Sequence, residues 1–254
     1  MHQVKIITSN KSSFHCFTDM VGLYESAILY WVNKCEECIK EKGSFTVVFS
    51  GGNTPVPFYN ALALQQFDYK IPWDKVHVFF SDERVVPLEH ADSNYRMVNN
   101  TLFKHIPIPK KNIYPMYPYP ADLYELSQKY AGLIDRVIDK NSNGLPVFDL
   151  MLLGLGVDGH TASLFPGADV VEEEKHWVCP VYVKEFNSWR ITMTLPVLNS
   201  SQDIMFLAVG EEKSFIISDV FHNRVKHEYP VINVTANNEI HWFIDSDAAS
   251  GIID

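Results

Sequence analysis

"FDLMLLGLGVDGHTASLFPG", Phe148 to Gly167, is the stretch on which both fold and chemistry turn. Its first part, "VFDLMLLGLG" (147–156), is a continuous apolar run of the kind that forms a strand covered on both faces. The run ends in G-x-G-x-x-G across Gly154, Gly156 and Gly159, the pattern of a dinucleotide-binding turn. That turn needs bare backbone at a helix N-terminus to approach a pyrophosphate. Asp158 would add negative charge beside the two phosphates. The acid expected about twenty positions later, at the end of the next strand, is not in place either. Asp169 and Glu172 to Glu174 come before the strand "HWVCPVYV" begins. Asp158 and His160 at the mouth of a sheet instead form an acid–imidazole pair, and histidine takes up and returns a proton near neutrality.

Outward from this strand, apolar runs alternate with helical patterns. "VKIIT" is a short strand. From Asp19 to Lys42 apolar residues recur at helical spacing and stop at Gly43. "FTVVFS" (45–50) and "VHVFFS" (76–81) are further buried strands. Pro55 can open a helix over "PVPFYNALALQQ", Ser93 or Asn94 can cap one reaching about His105, and Asp122 to Lys140 forms another. "HWVCPVYV", "WRITMTLP" and "DIMFLAVG" follow as strands, the last feeding the helix "EEKSFIISDVFHN". "EIHWFID" is a final strand with a short helix behind it. This order predicts an α/β fold with a mostly parallel sheet and helices on both faces. Ligands of such sheets bind beyond the carboxyl ends of the strands, where each polar motif of this chain is expected.

Two more loops fall at such ends. In "SGGNTP", Ser50 to Pro55, paired glycines permit close approach of a ligand, and Asn53 or Thr54 can cap the helix that follows. The free N–H groups of that helix attract an anion. No G-K-[ST] follows, so this is not a Walker loop. In "SDERVVP", Ser81 to Pro87, Arg84 offers a planar fork for a carboxylate, phosphate or oxyanion, or else belongs to a solvated ion cluster. Arg190 lies beside a predicted strand, and Lys213 opens a helix, where the helix dipole disfavours its cation.

The composition sets limits. With 254 residues, 46% hydrophobic, the chain suits one large α/β domain or two small ones. A formal charge of −10 argues against nucleic acid and anionic membrane surfaces, though a few local donors can still hold a small anion. No segment approaches the ~18 apolar residues of a membrane span, and no secretory leader pattern is present. Cys35 and Cys38 form C-x-x-C without a second pair, which favours free thiols over zinc or redox chemistry. The expected compartment is reducing and cytoplasmic.

"SGGNTP", "SDERVVPLEHADSNYRM", "LMLLGLGVDGHTASLFPG", "WRITMTLPVLN", "GEEKSF" and "IHWFIDSDAAS" occur in the order and approximate spacing of the 6-phosphogluconolactonase family. From Ser50 to the C-terminus the chain resembles that family; "PVINVTANNEI" departs from it by lacking a small Pro-Ala/Ser run. The resemblance implies a single domain over 1–254, with a Rossmann-like three-layer fold. It implies hydrolysis of a phosphorylated sugar lactone, 6-phospho-D-glucono-1,5-lactone, without metal or organic cofactor. It also implies functional coupling to glucose-6-phosphate dehydrogenase. His160 then matches the general base and Arg84 the arginine of the active-site loop. Arg190 and Lys213, with Ser50, Gly51, Gly52 and Asn53, match the phosphate seat, while Asp158 is expected to orient or charge-stabilise His160. The glucosamine-6-phosphate deaminases share the fold and the Asp-Gly-His, but carry a glutamate five residues after the histidine; here Phe165 stands there. A non-catalytic sugar-phosphate-binding protein is the other alternative, and the joint presence of Arg84, His160, Arg190 and Lys213 speaks against it.

Overall fold

The computed structural model describes residues 4–117, 122–224 and 229–253, with side chains throughout except at 4 and 65–69. The chain opens with β1 (Val4–Ser9) and β2 (Ser12–Phe17), an antiparallel hairpin turned at Asn10. β1 was legible as "VKIIT"; β2 was not, because "SSFHCF" mixes polar and apolar residues. α1 (Met20–Lys42) follows the predicted bounds. The Asp19 side chain accepts from the Gly22 N–H at 2.9 Å, and Gly43 ends the helix at φ +85°.

The chain continues through β3 (Phe45–Phe49), α2 (Val56–Tyr69), β4 (Val76–Phe80), β5 (Asp82–Arg84) and α3 (Asn94–Thr101). Next come α4 (Leu123–Val137), β6 (Leu150–Gly154), β7 (Val178–Val183), β8 (Ser188–Met193) and α5 (Leu195–Asn199). β9 (Asp203–Ala208), α6 (Ser214–Phe221) and β10 (Glu239–Asp245) complete it.

Seven strands form the main sheet in the order β1-β2-β10-β9-β6-β3-β4, parallel except for the edge strand β1. The continuous apolar runs are explained by burial on both faces. In β3, Phe45, Val47 and Phe49 pack into the core beneath α1, α2 and α3, while Val48 points to the opposite core. β6 divides the same way, with Leu150 and Leu152 on one face and Met151 and Leu153 on the other. The α4 and α6 side chains Ile134, Ile216 and Ile217 close that second layer.

Three expectations are corrected. β7 and β8 do not join the parallel sheet; with β5 they form a separate antiparallel sheet, order β5-β8-β7. Only Lys184–Asn187 connects β7 to β8, and a link that short can make a hairpin but not a parallel crossover. Neither Asn53 nor Thr54 caps α2: Pro55 holds the cap position and no side chain accepts there. Behind β10 the chain forms successive turns rather than a helix, with the Ala249 N–H bonded to the Asp245 carbonyl at 3.0 Å.

Candidate active site

Four loops leave the carboxyl ends of β3, β4, β6 and β9 and meet, with β8, around a cleft of about 660 Å³. Ser50, Gly51, Gly52, Asn53, Arg84, His160, Arg190 and Lys213 all line it, and Asp158 lies just behind His160. One placement differs from the sequence reading. Arg190 sits within β8, in register opposite Arg84 of β5, not at the end of a parallel strand.

After β3, Gly52 adopts φ +92°, and Gly51 has no room for a side chain. A Cβ there would lie 1.8 Å from Asn94 Oδ1. The loop is anchored by the Tyr59 hydroxyl donating to the Ser50 carbonyl and the Tyr24 hydroxyl donating to the Thr54 carbonyl, each at 2.8 Å. α2 has no side-chain cap: the Val56 N–H bonds instead to the Asn53 carbonyl at 3.2 Å, and Pro57 in the first turn carries no N–H.

After β4, two buried carboxylates organise the neighbouring loops. Asp82 accepts from Ser163 Oγ at 2.6 Å and from Asn94 Nδ2 at 3.3 Å, joining the β4, α3 and β6 segments. Glu83 accepts from the N–H groups of Arg84 (2.8 Å), Asn94 (2.7 Å) and Tyr95 (2.8 Å), and from Ser93 Oγ (3.1 Å). Burial pushes its pKa up to about 7, although those donors pull it back. Asp82, Ser163 and Asn94 also line the cleft and were missed in the sequence, since an alternation pattern does not reveal contacts between loops far apart in the chain.

The cations are held apart from carboxylates. Arg84 donates from Nη1 to the Asp92 carbonyl at 2.6 Å, and its buried Nε has no partner. Arg190, 8% exposed, lies over the Phe186 ring at 5.5 Å, and its Nε reaches Ser188 Oγ at 3.3 Å. Burial lowers its pKa, and the nearby Arg84 charge adds to this. Lys213, 9% exposed, is likewise pushed down by burial, while the Glu212 and Asp158 carboxylates pull it back up. Among the described residues, none of these three cations has a carboxylate within salt-bridge distance. Buried and half-buried cations that converge on a cleft without a salt-bridge partner are suited to an anion.

The loop after β6 builds an acid–imidazole pair. His160 Nδ1 lies 2.5 Å from Asp158 Oδ1, and the His160 N–H reaches the same oxygen at 3.2 Å. Burial works against the Asp158 carboxylate, but the His160 hydrogen bond and charge outweigh it and hold the pKa below its ordinary value. With Nδ1–H donated to that carboxylate, Nε2 carries the lone pair. The ring stacks on Phe165 at 4.1 Å. Gly156 makes room for it: a Cβ there would lie 2.0 Å from His160 Nδ1. Gly159, at φ +80°, faces Tyr229, which a Cβ would strike at 2.6 Å. Gly154 has open space around it and no positive φ, so the first glycine of the apparent fingerprint meets neither constraint. The fingerprint's helix is missing as well. The loop runs through turns to a 3-10 turn at Asp169–Glu172, so no α-helix N-terminus faces a pyrophosphate here. Among the described residues, no third histidine, cysteine or carboxylate joins Asp158 and His160 in a metal-binding group.

Known proteins resemble this chain in sequence and in fold. The family model for glucosamine-6-phosphate isomerases/6-phosphogluconolactonase matches residues 18–242. The chain is 34% identical over 231 residues to a 6-phosphogluconolactonase of Synechocystis sp., covering 91% of this chain and 94% of the relative. It is 35% identical over 259 residues to the probable 6-phosphogluconolactonase 4 of Arabidopsis thaliana, covering 97% of each. The crystal structure of 6-phosphogluconolactonase from Thermotoga maritima superposes with a TM-score of 0.80 at 30% identity, over 92% of this chain and 99% of that one. The sequence match and the fold thus run together over most of the chain, and the protein belongs to the glucosamine-6-phosphate isomerase/6-phosphogluconolactonase family.

Proposed function

We propose that the protein hydrolyses 6-phospho-D-glucono-1,5-lactone to 6-phospho-D-gluconate, the second step of the oxidative pentose phosphate pathway. The observation that carries this is the Asp158–His160 pair, 2.5 Å apart, at a cleft whose three cations form no salt bridge among the described residues. A lactone carbonyl is already electrophilic, so water can attack it without a covalent enzyme intermediate. Nε2 of neutral His160 takes a proton as water oxygen bonds to C1. Base assistance of this kind is worth roughly 10²–10⁴-fold. Arg84 and loop N–H groups stabilise the oxyanion that forms on the carbonyl oxygen. When the C1–ring oxygen bond breaks, His160 returns the proton to the departing oxygen, and the product acid ionises. Asp158 holds the ring and offsets the transient imidazolium charge. Arg190, Lys213 and the Ser50–Asn53 loop grip the phosphate and so fix C1 against the base.

The deaminase alternative wants a carboxylate where Phe165 packs on the imidazole, and a phenyl ring cannot exchange a proton. The substrate is the product of glucose-6-phosphate oxidation, so the enzyme works directly after that dehydrogenase, in the cytoplasm. The test generates fresh lactone with that dehydrogenase and follows its disappearance against the spontaneous rate. Acceleration by catalytic amounts of protein supports the proposal. A rate equal to the uncatalysed one, from folded protein, rejects it.

A further inference from the structure

The loop between β6 and β7 carries the catalytic pair near its start. Its other end holds Glu173, His176 and Cys179 at a three-residue spacing. Their ligand atoms all lie within 4.8 Å of one another. None of the three lines the cleft. We propose that they form a Zn²⁺-binding site that pins the end of this loop to β7.

The donor set is one that a borderline-soft cation selects. A thiolate, an imidazole and a carboxylate suit Zn²⁺, and their two negative charges neutralise it. Tetrahedral Zn²⁺ with bonds of roughly 2.0–2.3 Å places its ligand atoms about 3.3–3.6 Å apart. Glu173 Oε2 and His176 Nδ1 already stand 3.2 Å apart. The thiol of Cys179 has to close by about 1 Å, which is within reach of a χ1 adjustment. The other donors are pre-oriented. Glu173 Oε1 accepts from the N–H groups of Lys175 (2.7 Å) and His176 (3.0 Å), so Oε2, whose partner is the His176 ring, can turn to a metal that replaces the proton on Nδ1. His176 Nε2 lies 3.3 Å from the Tyr124 hydroxyl at the start of α4, an outer-shell partner of the sort that orients metal-bound imidazole. All three residues are partly accessible, so an ion can enter. Glu172 and Glu174 flank the carboxylate and make the local potential favourable to a cation.

Co²⁺ reports on the site because thiolate ligation gives a charge-transfer band in the near ultraviolet. Titration of the full chain is expected to give one Co²⁺ per molecule with that band, displaced by Zn²⁺. Cys179→Ser should abolish the band, and His176→Ala should weaken binding at least tenfold. Cys35→Ser, Cys38→Ser and His160→Ala should leave both unchanged. Zn²⁺ should raise the melting temperature of the wild type and not of Cys179→Ser. No thiolate band, or a band that survives Cys179→Ser, overturns the site. Binding that His176→Ala leaves intact overturns it equally, and that variant changes only a half-exposed ring.

Discussion

At His160 the decisive contact is the 2.5 Å link from Nδ1 to Asp158 Oδ1; in the neutral ring that donates from Nδ1, Nε2 is the acceptor. His160→Ala is expected to lower kcat by roughly 10²–10⁴-fold with little change in KM. Asp158→Asn should cost less, at least roughly tenfold, because the imidazole keeps its place but loses the charge that offsets its protonated form. Steady-state kinetics corrected for spontaneous opening checks both. The sequence named this pair from two residue types at a strand end, but no pattern could show that they touch. Arg84 and Arg190 carry a second prediction. Because β5 and β8 set them opposite each other, their roles are separated by kinetics. Arg190→Ala and Lys213→Ala are expected to raise KM at least tenfold, whereas Arg84→Ala lowers kcat. If Arg84→Ala raises KM alone, Arg84 belongs to the phosphate seat.

At the scale of elements, the loop after β3 depends on the start of α3. Gly51 is legible as a loop glycine, but its reason lies with Asn94, whose oxygen occupies the space a Cβ would need. Asn94 Nδ2 in turn donates to the Asp82 carbonyl at 2.9 Å. Gly51→Ala should therefore displace Asn94 and cost about 1–3 kcal/mol, with a loss of kcat/KM. Gly132, inside α4, has nothing within 4 Å of its added Cβ and ordinary φ. Gly132→Ala should stabilise by roughly 0.5–1 kcal/mol and leave kinetics unchanged. Paired denaturant melts separate the two. The ends of α1 are legible because Asp19 caps its start with a side chain and Gly43 ends it in a left-handed backbone conformation. Pro55 marks the start of α2 as expected, but the cap differs, because Asn53 and Thr54 are capping types that the chain does not place at the cap position.

Across the whole molecule, the pairing of β2 with β10 is expected to weaken in acid. His15 on β2 stacks on Phe243 of β10 at 4.7 Å and meets His241 at 3.3 Å. Burial, reinforced by His241 and opposed by Glu239, lowers the His15 pKa to about 4 from 6.5. The folded state therefore prefers the neutral ring. That stability is complete above about pH 6.5 and is lost as pH falls toward 4. His15→Phe keeps the stacking and should flatten the loss of melting temperature between those pH values. An unchanged slope would place the acid sensitivity elsewhere. The pairing of β2 with β10 joins the two ends of the chain, and nothing in "SSFHCF" announces a partner more than two hundred residues away.

The sequence by itself determined the parallel core, the helices around it and the residue types at the strand ends. These follow from local periodicity: a run buried on both faces must be apolar throughout, and a functional loop must interrupt it with polar residues and glycine. Tertiary structure decided the separate β5-β8-β7 sheet, the opposition of Arg84 to Arg190, and the Asp82 and Glu83 anchors beneath the cleft. It also decided which glycines matter, since Gly51, Gly156 and Gly159 are small because of Asn94, His160 and Tyr229. Those constraints are steric and electrostatic contacts formed only once the chain has folded, so they leave no period along the sequence.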